Sequence, residues 1–257
     1  LRGALDKSVI NFLVTQYWRV SVVDVTASTQ TDLAALARSG KAKAGDVIAA
    51  NYQSAGRGRL SRTFEAPKNS ALLFSFYIKP KRTKEDWGWI ALIAGASVAQ
   101  ALDKVKATVK WPNDIYVGDR KICGMLIENN LSRAVIRSSI IGIGLNVNQS
   151  FFDLTTATSI KLEKGQSFPI QEILFSFIGS FNLFYDQLMS SRLQEIEDLY
   201  KSNLLGYEQK RIFEDETGEF SGIIRGVDSN GKLRIKVNGV EQTYDLKQLR
   251  FIFRNAF

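Results

Sequence analysis

Two periodicities run through the chain. Residues 17–26, YWRVSVVDVT, are β-branched and aromatic and predict a strand. Ser28 and Thr29 then offer N-caps to a helix with Leu33, Leu36 and Ala37 on one face, ended by Gly40. DVIAANYQ (46–53) predicts a second strand, and the apolar run ALLFSFYI (71–78) a buried one. Ile90, Ile93, Ala94, Ser97, Val98, Ala101, Leu102 and Val105 recur at i, i+3, i+4, i+7 and predict a core helix rich in small residues. TVKWPNDIYV, GDR and KICGMLIE predict strand, tight turn and strand, with Gly118-Asp119 at the tip. AVIRSSIIGIGLNVN predicts a further strand ending in glycines. Residues 170–189 and 192–202 predict two amphipathic helices, the first with an apolar stripe through Ile173, Leu174, Phe177, Ile178, Phe181, Phe184 and Leu188.

After Leu205-Gly206 the rhythm changes to short strands with turns at Thr217-Gly218, Asn230-Gly231 and Asn238-Gly239. That spacing predicts a small barrel or SH3-like module. The expectation is an α+β chain: a larger first domain over residues 1–205 and a small β-barrel over 206–257.

Composition bounds this picture. A length of 257 residues suits one large and one small domain. Hydrophobic residues at 45% and charged residues at 23% are the mixture of a soluble globular protein. No run approaches the ~20 apolar residues of a membrane helix, and LRGALDKSVINFL lacks the apolar core of a signal peptide. A cytoplasmic protein with no membrane partner is expected.

Net charge changes the picture more. At +8, with a pI near 9.5, the chain favours anionic partners without choosing among them. Histidine is absent and Cys123 is the single cysteine. Ser-His-Asp and Cys-His catalysis, CxxC metal sites and intramolecular disulfides are therefore excluded. Chemistry must come from Lys, Arg, Asp, Glu, backbone amides or a bound ion.

Polar residues interrupt apolar elements in five places: Ser28-Thr29-Gln30, Gln53 to Arg62, Lys110 to Asp114, Arg120 to Gly124, and Gly142 to Asn148. In the second, glycines let the backbone approach a ligand and arginines fork onto carboxylate or phosphate. A solvated basic loop and an RNA-binding segment remain open for GRGR alone, but the spacing of a Walker loop is not present. Trp111 precedes proline and stays extended before the chain bends. Strand alternation puts Lys121, Cys123 and Met125 on one face, where a lysine either pairs with an anion or snorkels beside the hairpin turn. Cys123 reads as a small core residue. GIGLNVN reads either as a close backbone approach to a ligand or as a bulge and turn. Together these are parts for an anion pair plus a polar, urea- or uracil-like head.

In order and spacing, ASTQ, YQSAGRGRLSRTFEAP, VKWPNDIYVGDRKICGMLIE and GIGLNVN resemble the biotin protein ligases, from about Val20 to Asn148. The two later helices and the C-terminal module are similar too. The resemblance implies a mixed sheet packed with helices, like a class II aminoacyl-tRNA synthetase catalytic domain, plus an SH3-like barrel. It implies that biotin and ATP, with Mg2+, give biotinyl-5′-AMP. Biotin then passes to a lysine of a biotin carboxyl carrier protein or of the carrier domain of a biotin-dependent carboxylase. By the same resemblance Ser28, Thr29, Gln30, Gln53, Arg57, Gly58, Arg59, Lys121 and Gly124 contact biotin. Arg57, Arg59, Arg62, Phe64, Lys110, Asn113, Lys121, Asn146 and Arg250 lie on the ATP side. Lys121, Arg57 and Arg59 carry the chemistry, with Asp114 activating the incoming lysine or organising magnesium; the metal ligands stay unassigned.

Three positions depart from the family pattern: Ser61 for a glycine, Phe64 for a tryptophan and Gln30 for an asparagine. Few residues precede the first strand, so a monofunctional ligase without the DNA-binding winged helix of many relatives is expected, with homodimerisation left open. A lipoate-type ligase of the same fold and a non-catalytic nucleic-acid-binding protein are the alternatives.

Overall fold

A computed structural model gives the architecture and describes Leu5 and residues 17–58, 63–83, 86–154, 156–228 and 230–253. The first sheet has eight strands: β1 (Arg19–Thr26), β2 (Asp46–Gln53), β3 (Ala71–Ile78), β4 (Arg82–Thr83), β5 (Thr108–Lys110), β6 (Asp114–Val117), β7 (Arg120–Ser132) and β8 (Val135–Asn146). Their order is β1-β2-β3-β8-β7-β6-β5, with β4 also on β8; β1 and β2 run parallel and the other pairs antiparallel. Helices are α1 (Thr29–Arg38), α2 (Trp87–Ala101), α3 (Ile160–Lys164), α4 (Ile170–Met189) and α5 (Leu193–Asn203).

Alternation along the strands sorts side chains to two faces. Leu72, Phe74, Phe76 and Ile78 of β3, with Ile141, Ile143 and Leu145 of β8, join α2, α4 and α5 in the main core. Phe74 and Phe76 of β3 meet Phe177 and Phe181 of α4 edge-on or tilted at 4.8 to 5.5 Å, and Trp18 closes the end. On the opposite face Tyr77, Ile48 and Ile140 pack under Leu33 of α1. β3 is buried along its whole length because it is covered on both sides. The expected α+β class holds, as do the strands and helices just described.

Three expectations are revised. The core helix stops at Ala101, and the apolar run to Val105 continues as a single 3-10 turn, Asp103–Val105, before Lys106 turns left-handed at φ 53°. Its small-residue stripe could not show that break, because i and i+3 are neighbours in both helix types. TVKWPNDIYV is two strands: the chain reverses at Trp111–Asn113, where the Trp111–Pro112 bond is cis, and β5 pairs with β6. Finally, β7 carries a bulge. Ile115 faces Cys123 but Tyr116 faces Lys121, so Ile122 and Cys123 both turn into the core. Lys121 therefore shares a face with Gly124, not with Cys123 and Met125.

Beyond Tyr207 a second sheet forms from β9 (Lys210–Asp215), β10 (Gly218–Val227), β11 (Leu233–Val237), β12 (Val240–Tyr244) and β13 (Arg250–Ile252), in the order β12-β11-β10-β9-β13. Asn238 and Gly239 both have positive φ at the tip of the β11–β12 hairpin, which is why that dipeptide stands there. The two sheets meet at the Trp111 turn: its indole N–H donates to Gly231 O at 2.8 Å, and Tyr116 stacks on Phe253 at 5.5 Å.

Candidate active site

A cleft opens on the α1 side of the first sheet, roofed by the start of the Gly-Arg loop and walled by the Trp111 turn. Its buried end is polar. Ser28 is the N-cap of α1, yet its hydroxyl makes no capping bond and Thr29 opens the helix. The Thr29 N–H is instead taken by Gln53 Oε1 of β2, at 2.7 Å, so a strand side chain terminates the helix. The Thr29 hydroxyl lies 3.0 Å from the same oxygen and 2.8 Å from Ser75 Oγ. Ser75 reaches Gln30 Oε1 at 3.1 Å, and Gln30 Nε2 donates to Glu128 at 2.8 Å. Ser28, Thr29, Gln30 and Ser75 are all buried, a cost that hydrogen bonds must offset.

Glycines make room here. A Cβ on Gly142 would lie 2.5 Å from Gln30 Oε1, and one on Gly144 2.8 Å from the Phe64 ring. Both readings of GIGLNVN thus resolve into a strand whose missing side chains admit Gln30 and Phe64. The loop base is closed by pairing of Arg57 with Thr63, and by Phe64 N donating to Gly56 O at 3.0 Å. Arg57 and Gly58 line the cleft, and Arg57 pairs with Glu128 at 3.2 Å. Arg59, Ser61 and Arg62 lie outside the described residues.

At the other end the Lys121 ammonium sits over Gly124 and 2.7 Å from Asp114 Oδ1, with both side chains partly exposed to the cleft. The bulge at Ile122 puts it there. Burial pushes the Cys123 thiol far up, which suits a core residue and not a nucleophile. Asn113 donates to Met125 O and also lines the cleft. Lys110 lines the same wall, with its ammonium 4.9 Å from the Phe251 ring centre, 5.3 Å from Tyr116 and 5.7 Å from Phe253.

The cleft thus gathers Ser28, Thr29, Gln30, Gln53, Arg57, Gly58, Phe64, Lys110, Asn113, Asp114, Lys121 and Gly124. Two expected members stand apart. Asn146 is buried, donating to Thr158 O and accepting from Gln149, and so braces the chain after β8. Arg250 pairs with Glu214 in a separate groove on the second sheet. Residues that sequence reasoning missed are Ser75, Glu128 and Trp111, whose indole reaches across to the second sheet. A lone serine within an otherwise apolar strand was the one available signal. Among the described residues no group of three His, Cys, Asp or Glu forms. Among the described residues the carboxylate at the charged end is Asp114, paired with Lys121; a magnesium ion there would draw most of its oxygen ligands from substrate phosphates.

Comparisons agree with this geometry. Residues 22–146 match the model of the Biotin/lipoate A/B protein ligase family. The Bifunctional ligase/repressor BirA of Bacillus subtilis is 30% identical over 254 residues, spanning 94% of this chain and 78% of that protein. The Biotin--[acetyl-CoA-carboxylase] ligase of Mycobacterium tuberculosis is 28% identical, spanning 86% and 85%. Among solved structures, the biotin protein ligase of Aquifex aeolicus in complex with biotin and ATP superposes with a TM-score of 0.75 at 25% identity, covering 91% of this chain and 99% of that one. The fold, the ordered cleft residues and these likenesses together place the chain in the biotin protein ligase family.

Proposed function

We propose that the cleft binds biotin with its ureido ring at the Ser28–Thr29–Gln30–Gln53 end and its carboxylate beside Lys121, where the α-phosphate of ATP meets it. The protein is an ATP-dependent biotin protein ligase. A carboxylate oxygen attacks the α-phosphorus, a new acyl–O–P bond forms, and pyrophosphate leaves with the electrons of the broken P–O bond. The amine of a carrier lysine then attacks the acyl carbon, loses a proton, and AMP leaves.

The first step brings two anions together. At ~4 Å they repel by about 4 kcal/mol at an effective dielectric of ~20. The observation that carries the residue assignment is the Lys121–Asp114 pair at the junction of the two ends. Lys121 needs only to swing from Asp114 to neutralise carboxylate and phosphate together. Asp114, so released, is the nearest carboxylate to take a proton from the carrier lysine. Arg57 sits at the roof, and Phe64 and Lys110 form the nucleotide side.

The partner is the biotin-accepting domain of a carboxylase. The net charge of +8 suits ATP and an acidic carrier, and operator DNA has no part in this reading. No helix among the described residues is long and apolar enough to cross a membrane; a cytoplasmic setting is part of the same proposal. Sedimentation with and without biotin and ATP measures the oligomeric state. ATP–pyrophosphate exchange tests the substrate assignment: exchange that depends on biotin supports it, and exchange that depends on lipoate overturns it.

A further inference from the structure

Glu128 lies on the cleft face of β7, two residues beyond Leu126 and four beyond Gly124, and it touches both Gln30 and Arg57. One Gln30 amide atom faces Glu128 at 2.8 Å and the carbonyl oxygen of Ile140 at 3.4 Å. Both are acceptors only, so that atom must be the NH2 group. The carbonyl oxygen is thereby turned the other way, toward Ser75, Gly142 and the cleft.

Proton counting sharpens the point. Ser75 and Thr29 carry one hydroxyl proton each, and Gln53 Oε1 already takes the Thr29 N–H. Thr29 can therefore donate to Ser75, and Ser75 to Gln30 Oε1. That leaves Gln30 Oε1 with one donor and a second lone pair on the cleft side, which a ligand N–H fills and a ligand without N–H groups does not.

We propose that Glu128 is a specificity-determining, positioning residue: it locks Gln30 with its carbonyl facing the cleft, and so selects a ligand head bearing N–H donors, a cyclic urea, over a dithiolane or thioether ring of similar size. The inference rests on biotin lying in the orientation given above. The Arg57 pair at the rim is half exposed and contributes little by itself. The charge-assisted bond to buried Gln30 is the stronger contact. The carboxylate matters because a glutamine in its place could present either atom and let Gln30 turn over.

The experiment compares wild type with Glu128→Gln, binding biotin, each of the two ureido N-methyl biotins, lipoate and a non-hydrolysable ATP analogue by calorimetry. Thermal unfolding of both proteins shows whether the variant is intact. Glu128→Gln is expected to weaken biotin roughly 10-fold, the loss of about one charge-assisted hydrogen bond, and to leave the ATP analogue within about twofold. Wild type should penalise at least one N-methyl isomer strongly, and the variant should penalise it less. A purely structural defect would instead weaken biotin and both isomers by one common factor. That outcome, or unchanged biotin affinity in the variant, overturns the role of Glu128. Wild type that binds lipoate in preference to biotin overturns the biotin assignment itself.

Discussion

Lys121 and Asp114 form an ion pair of 2.7 Å across the β6–β7 hairpin, directly above the bare backbone of Gly124. In the function proposed above, the pair parks a cation where two anions later meet. Lys121→Ala should cost about 10²–10³ in the rate of adenylate formation, because the lost charge acts mainly on the transition state. Single-turnover formation of biotinyl-5′-AMP measures it; a rate near wild type would reject the role.

Gly142 is short of space, not of backbone freedom. A methyl group there would press on Gln30 Oε1 from 2.5 Å. Gly142→Ala should fold, lose biotin affinity by on the order of 10-fold, and retain ATP affinity. Calorimetry with each ligand separately checks the split.

Phe64 lies on the Gly144 backbone and lines the cleft, on the side proposed above for the nucleotide. Phe64→Ala should raise the ATP requirement and spare biotin. Equal weakening of both ligands would show that the loop base had collapsed with the ring.

Trp111 is buried and spends its N–H on Gly231 O. Trp111→Phe keeps the apolar body and orphans that carbonyl. The expected loss is about 1 kcal/mol, or roughly 2–4 °C in melting temperature for a chain of this size. The KM for ATP should rise with it, since Lys110 and Asn113 flank the same turn.

Cys123 is fully buried, and desolvation raises its pKa. The native protein should resist iodoacetamide at pH 8 and react only after unfolding, and Cys123→Ala should keep its ligase activity. Rapid native alkylation would contradict the placement.

Much of this was legible because alternation and helical spacing report burial, and burial builds the sheet. The apolar stripe of α4 and the strand β3 emerge as the spacing predicts. The site was legible through motif order. What escaped depends on events between distant segments. The bulge at Ile122 leaves no trace in a strand that still looks regular, so Lys121 was assigned to the wrong face. Glu128 sits in a run, IENN, that resembles an ordinary strand end, and its meaning comes from Gln30, far away in sequence. Arg250 carried the right charge in a segment near the cleft, but Glu214 on the neighbouring strand claims it.

The seam between Trp111 and Gly231, with Lys110 set among Tyr116, Phe251 and Phe253, has a consequence for biosynthesis. The hydrogen bonds of the polar end join residues no later than Ile140, but α4, which covers the other face of β3, lies at residues 170–189. The Trp111 wall closes later still, on residues more than a hundred positions further along the chain. On the ribosome the two ends of the cleft would therefore be completed in turn, the polar end once α4 has docked and the Trp111 wall only when translation of the second sheet was done.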